Sequence, residues 1–384
     1  MKSLDLKNNQ MIDMPLLILV LALLSVGFIV MTSASISLGQ EHYESPFYYS
    51  LRQALYVSLG LILAFVAYLL PLNMWRSLGP LLLAVGLLSL AVVLLPIVGK
   101  TVNGSSRWLQ LGVVNIQVSE PVKLILIVYL AGYVARHTKR IRSENSGFIM
   151  PMLLLSVFAF LLLLQPDFGA VAVIIATALG LLMLAGARKV AIFVVSGAAL
   201  GTLSLLAIMS PYRLKRLAGF INPFDDALDS GFQLTQALIA FGRGEWLGVG
   251  LGEGVQKLFY LPESHTDFVL AVLAEELGLV GVTLIIVLFL LLSLRCMQIG
   301  KRAEQNGNIF GAYIGYGVGL WIALQSFVNM GVNMGMLPTK GITLPLISYG
   351  GSSLVVSIVA LALVMRVHKE TTKLVNADLS PGVS

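Results

Sequence analysis

One cysteine and four histidines in 384 residues leave little material for thiol or soft-metal chemistry. Cys296 on its own cannot form an internal disulfide, and a cysteine-based metal site is excluded. Charge is scarce too: Asp, Glu, Lys and Arg make up only 11% of the chain, against about a quarter in a soluble domain. No internal repeat or low-complexity tract divides the sequence, so a single domain is expected. The glycine-rich run GRGEWLGVGLGEG (242–254) fits neither a dinucleotide-binding nor a phosphate-loop spacing, and no strand pattern precedes it. Flexible or re-entrant backbone is the expectation there.

What the chain does contain is apolar length. Hydrophobic residues are 57% of the sequence and mean hydropathy is +0.89. They fall in ten blocks, approximately 15–33, 50–70, 78–98, 120–135, 148–164, 168–186, 190–209, 267–293, 309–330 and 352–366. Each approaches the roughly 20 residues that cross a bilayer as a helix. Backbone groups in lipid must pair within the segment, and the alternating ten-residue strands of a barrel are missing, so helices are expected. The fold class is therefore an all-α polytopic membrane protein of about ten transmembrane helices, with a long extracytoplasmic loop between the seventh and eighth. Residues 1–14 read as a cytoplasmic tail, 15–366 as the membrane domain and 367–384 as a second cytoplasmic tail. Thr32-Ser33-Ala34 faintly imitates a signal-peptide cleavage site, but the apolar run before it is longer than such peptides carry, so a retained span is expected.

Orientation follows from the basic residues. Lys2, Lys7, Arg76, Arg136, Lys139, Arg140, Arg142, Arg188, Lys189, Arg295, Lys301, Arg302, Arg366, Lys369 and Lys373 are 15 of the 25, and all fall on one side if both termini are cytoplasmic. The net charge of +6 is mostly this topological signal and carries no nucleic-acid inference. The opposite side holds the unusual segments: 99–123, QPDFG (165–169), Ser210 to Thr266 and 335–353. Within the third, FQLTQALIAFG (232–242) has helical spacing but is too short to span, and reads as an amphipathic interfacial helix.

Ionisable residues at membrane depth pair with one another or line a wet cavity. Lys123, one turn into the fourth block, and Asp167, at the outer end of the fifth, fit either a structural ion pair or a cavity wall where Lys123 meets an anion. Arg107-Trp108 serves equally as an interfacial anchor or as a planar fork for phosphate oxygens. Glu275 and Glu276 turn away from Asp267 by helical spacing, so the three cannot share one cavity, and packing against polar neighbours is the better account of the glutamates. In LPESHTDFVLAVLAEELG (261–278), Glu263, His265 and Asp267 precede an apolar run. Asp267 stands where it could cap the helix, and the cluster has no recognised metal-ligand spacing.

LPESHTDFVLAVLAEELGLVG, NPFDDALDSGFQLTQA, VNGSSRW, QPDFG and LPTKGITLPLISYGGSS, in their positions among ten spans, resemble the SEDS family of bacterial cell-wall polymerases across nearly the whole chain. GVQKLFYLPESHTDF and LPTKGITLPLISYGGSS are closer to the division branch than to the elongation branch. The resemblance implies a peptidoglycan glycosyltransferase of the bacterial cytoplasmic membrane, at the division septum, that polymerises lipid II on the outer face beside a class B penicillin-binding protein and other division proteins. It makes Asp267 the catalytic residue and pairs Lys123 with Asp167 across a central cavity. Arg107, Lys123, Asp167, His265 and Lys340 form the candidate substrate-binding set. Val118, where the family commonly has Pro, and Ser105-Ser106 depart from the pattern without removing a charged group. Inversion at the anomeric carbon needs a base and positive charge for the departing lipid diphosphate. Asp267 is the candidate base; Lys123, Arg107 or a divalent cation (Mg or Mn) are candidates for the charge, with no certain cofactor. A flippase or a non-catalytic scaffold are the rival readings.

Overall fold

The computed structural model describes residues 11–95, 99–102, 105–111, 114–144, 146–209, 211–225, 229, 231–339 and 341–379. Every expected apolar block is a helix: α1 (Met14–Tyr43), α2 (Tyr48–Leu69), α3 (Leu72–Val92), α4 (Ser119–Ser143), α5 (Ser146–Leu164), α6 (Phe168–Leu184), α7 (Lys189–Ile208), α10 (Val269–Gln305), α11 (Ile309–Asn333) and α12 (Gly351–Leu379). Two shorter helices, α8 (Pro211–Ile221) and α9 (Phe232–Gly244), occupy the long segment, and α9 coincides with the expected amphipathic helix. Seven of the helices are long and apolar enough to cross a membrane by themselves. Of the others, α6 is only 17 residues long, and α4 carries buried Glu120 and Lys123.

The core surrounds α11. Trp321 and Tyr313 are among its fully buried side chains, and α4, α6, α10 and α12 pack around it. The α10–α11 contact is close because glycines meet: a Cβ on Gly315 would come within 2.8 Å of Gly300 Cα. Small residues at such crossings let backbones approach, the main source of helix association where lipid is as apolar as leucine. The outer helices α2, α3, α5 and α7 instead expose leucine, valine and phenylalanine, as a lipid-facing ring requires.

Several helices outrun their apolar blocks. α1 continues ten residues past 33, α10 to Gln305, and α12 through residues 367–379, where Val367, His368, Thr371 and Thr372 are buried. At the end where the termini emerge, Asp13 caps α1 by accepting from the Leu16 amide (2.9 Å). It also accepts from both Arg295 Nε (3.0 Å) and Nη2 (2.7 Å) on α10, and lies 3.4 Å from His368 Nδ1 on α12.

The opposite end departs from an all-helical description. Three strands form an antiparallel sheet in the order β1 (Gly99–Val102), β2 (Ser105–Leu111), β3 (Val114–Gln117), with Trp108 opposite Gln117. Asn103 and Gly104, turn-like in sequence, lie outside the described residues. The sheet is tied to α12, since the Ser352 hydroxyl accepts from the Gln117 amide at 3.0 Å.

The glycine-rich run is a strap across a break in α10. Gly278 has φ 64° and ψ −164°, and a Cβ there would meet Gly248 N at 2.4 Å. A broken helix frees backbone groups that lipid cannot satisfy. The strap pairs four of them: the Leu279 and Val280 amides donate to the Glu245 (2.9 Å) and Trp246 (3.1 Å) carbonyls, and the Glu275 and Glu276 carbonyls accept from Val249 (3.0 Å) and Gly250 (3.1 Å).

Candidate active site

Asp267 sits in the turn that leads into α10, partly exposed, beside buried Phe268. Its backbone is held from α11. Asn329 Nδ2 and Asn333 Nδ2 each donate to the Asp267 carbonyl at 2.9 Å. Asn329 Nδ2 also donates to the Ile342 carbonyl at 2.6 Å, and Asn333 Oδ1 accepts from the Ala271 amide at 3.2 Å. The two asparagines, one turn apart and buried, thus fix Asp267 to the 341–348 segment. At the point of approach stands Gly341, where a Cβ would lie 2.9 Å from Asp267 Oδ2. Lys340, the next residue back, lies outside the described residues.

One turn further down α11, Gln325 joins this floor to α4. Its Oε1 accepts from Lys123 Nζ (2.6 Å) and Trp321 Nε1 (2.7 Å), and its Nε2 donates to the Thr343 carbonyl (3.0 Å). Lys123 Nζ also donates to Glu120 Oε1 at 2.8 Å and lies 5.2 Å from the Trp321 ring. Beneath it a small cavity of about 10 Å³, room for one water, is lined by Lys123, Thr177 and Trp321 among apolar side chains.

The expected Lys123–Asp167 contact is not among the described ion pairs. Lys123 is three residues from Glu120 on its own helix, and that short path satisfies the ammonium first. Asp167 instead caps α6 by accepting from the Ala170 amide (3.2 Å) and faces Arg107 Nη1 at 3.9 Å. Arg107, on β2, donates from Nε to the Gln165 carbonyl (3.0 Å) and from Nη2 to the Pro166 carbonyl (2.7 Å), locking the α5–α6 turn. Its fork is largely committed to protein acceptors.

His265 is neither a cap nor part of a ligand cluster among the described residues: its carbonyl accepts from the Tyr349 amide at 2.9 Å, its Nδ1 is buried with no partner among them, and its ring packs on Tyr49. Burial holds its imidazole below the usual histidine range, against the opposing pull of Glu263 and with the help of His42. Among the described residues, no three of His, Cys, Asp and Glu gather as a metal site.

Glu275 and Glu276 are structural, as spacing indicated. Glu275 accepts from the Val255 and Gln256 amides (both 3.0 Å) and from Arg243 (3.2 Å). Glu276 binds Lys257 Nζ (2.5 Å) and the Ser33 hydroxyl (2.7 Å), tying α10 to the strap and to α1. Glu120, Gln325, Asn329 and Asn333 escaped the sequence reading. Their signal was there: Gln325, Asn329 and Asn333 repeat every four residues on one face of an otherwise apolar helix.

Fold and site together define a multi-pass membrane protein with a partly exposed aspartate, Asp267, whose backbone is braced by side-chain amides, at the end opposite Asp13 and His368. The chain belongs to the FtsW/RodA/SpoVE family of cell cycle proteins, whose family model matches residues 14–373. It is 52% identical over 372 residues to the probable peptidoglycan glycosyltransferase FtsW of Thioalkalivibrio sulfidiphilus, covering 97% of this chain and 93% of the relative. The corresponding protein of Coxiella burnetii is 51% identical over 359 residues (94% and 96%). Among solved structures it is similar to a chain from work on structural coordination of polymerization and crosslinking by a peptidoglycan synthase complex (TM-score 0.76, 29% identity, 94% of this chain and 98% of that one). It is also similar to the rod shape determining protein RodA of Thermus thermophilus (TM-score 0.70, 29% identity, 94% and 97%).

Proposed function

We infer that this chain is a peptidoglycan glycosyltransferase that polymerises lipid II at the outer face of the cytoplasmic membrane during division, with Asp267 as the base. The observation that carries the reading is the bracing of Asp267: two buried asparagines fix its backbone, the residue is partly exposed, and Gly341, which has no Cβ, leaves room beside its Oδ2. A capping residue would need no such support from a neighbouring helix. Relatives at about 50% identity bear the glycosyltransferase name. The likeness to a synthase complex supports a crosslinking penicillin-binding protein as partner. The basic-residue asymmetry favours cytoplasmic termini, which puts the Asp267 end outside.

Asp267 takes the proton from the acceptor 4-hydroxyl as its oxygen attacks the anomeric carbon of the growing strand. The anomeric C–O bond to the lipid diphosphate breaks, and the diphosphate leaves with the electron pair. That leaving group needs no carboxylic acid, unlike the alcohol released in glycoside hydrolysis. Lys123 and Arg107 are occupied by protein acceptors, so Lys340, adjacent to Gly341, is the candidate for the diphosphate charge. A divalent cation fits the donor set only with the substrate's oxygens completing its shell, as magnesium is usually held by one or two carboxylates plus phosphate. Asp267 would be its protein ligand.

Purified protein given lipid II in detergent tests this directly. Asp267→Asn should lose about 10²- to 10⁴-fold of strand formation while its thermal stability holds. Substantial polymer from the variant would remove Asp267 from the chemistry. No polymer from the unaltered protein with its partner would return the flippase and scaffold readings.

A further inference from the structure

Around His265 the rings form a continuous series that the reaction does not require. Tyr43, at the end of α1, stacks on Tyr48 at the start of α2 with centroids 3.6 Å apart and planes 9° apart. Tyr48 meets Tyr49 edge-on at 5.4 Å, and Tyr49 meets both His265 (4.9 Å) and Tyr349 (5.3 Å). His265 and Tyr349 close the triangle at 5.6 Å. The Arg52 guanidinium lies 4.9 Å from the Tyr48 centroid. One end of the series is thus two residues from Asp267, and the other, Tyr43, is 48% exposed.

Membrane-interface tyrosines ordinarily seat the ring at headgroup level with the hydroxyl toward water. Here the rings contact one another and converge on the catalytic turn. Edge-to-face and stacked contacts make the surface rigid, while each phenol keeps a hydroxyl able to donate and accept. A pyranose offers the complement: a face of C–H groups that lies on aromatic rings and a rim of hydroxyl and N-acetyl groups.

We propose that the Tyr43–Tyr48–Tyr49–His265–Tyr349 series is a binding platform for the glycan strand, holding N-acetylated pyranose units next to the reacting one. The proposal rests on the glycosyltransferase reading and adds a strand-binding subsite to it. Between additions, a platform of this kind keeps the strand from dissociating.

The test uses full-length protein with Tyr43→Leu, Tyr43→Phe and Tyr43→Trp, because Tyr43 is exposed enough for its replacement to leave the fold intact. Binding of a soluble N-acetylglucosamine oligosaccharide, read by ligand-observed NMR in detergent, should weaken about fivefold in Tyr43→Leu, the worth of one aromatic contact. Phe and Trp should retain it. In polymerisation of lipid II, the Leu variant should release shorter strands, by a similar factor of about five, and the aromatic variants should not. Oligosaccharide binding and strand length unchanged by Leu would overturn the proposal and leave an interfacial anchor. Equal losses from Leu and Phe would overturn it as well, since the ring would not be the contact. If the unaltered protein made no polymer, the binding arm would still decide the platform, while the catalytic reading would fall separately.

Discussion

Replacing Lys123 by Met removes a cation that is 4% exposed and lies 2.8 Å from Glu120 Oε1. At that separation and an effective dielectric near 20, the attraction is about 6 kcal/mol. Desolvation of both charges offsets most of it, so the intact pair adds little net stability. Losing one partner is a different matter, because the other is left buried and uncompensated, at about 3–5 kcal/mol. Glu120 is open to that penalty: it is 6% exposed and its Oε2 has no hydrogen-bond partner among the described residues. Lys123→Met should therefore destabilise the protein by about 3–5 kcal/mol. Adding Glu120→Gln should restore part of the loss, with a coupling of about 1–3 kcal/mol. Among the described residues Lys123 and Asp167 share no partner, so Lys123→Met and Asp167→Asn should add to within about 0.5 kcal/mol. Reversible unfolding in SDS mixed micelles measures both cycles. Coupling confined to Lys123 with Asp167, and additivity with Glu120, would refute the arrangement of charges described for this site.

Asn329→Ala and Asn333→Ala loosen the turn that carries Asp267, and a misplacement of about 1 Å is worth on the order of 10²-fold in rate. kcat for strand formation should fall by that order with KM little changed, and a loss confined to KM would contradict a positioning role. Gly341→Ala puts a Cβ where it would lie 2.9 Å from Asp267 Oδ2. It should displace the carboxylate and lower polymerisation at least tenfold, about 1.4 kcal/mol, at unchanged thermal stability; full activity would mean that the approach is incidental. His265 has a folded pKa below its unfolded 6.5, so the stability it contributes is complete above pH 6.5 and is lost as pH falls beneath it. Tm should therefore drop from pH 7.5 to pH 5, and His265→Phe should flatten that drop; an equal acid loss in the variant would show that another group is responsible.

Period and charge, which are local properties, are what the sequence by itself determined. Ten apolar blocks became ten helices because a backbone in lipid has no other way to satisfy its polar groups. The 232–242 segment became α9 because its apolar positions already shared one face. The structural role of Glu275 and Glu276 was also legible, since helical rotation kept them off the Asp267 face. Partner choice was decided only by tertiary structure. The resemblance paired Lys123 with Asp167, but Glu120, three residues back on the same helix and absent from the sequence expectations, holds it instead. Asp167 went to the cap of α6 and to an arginine brought in by a sheet that hydropathy does not register. The strap across Gly278 could not be read from its glycines, because the groups it satisfies belong to a helix break 30 residues away in the Gly248–Gly278 contact. Asp267 gained its setting in the same way: its carboxylate is local, but the asparagines that hold it stand 62 and 66 residues further along the chain. The four-residue repeat of Gln325, Asn329 and Asn333 marks a polar face on α11 but not the segment it meets, so only the packed bundle brings the two together.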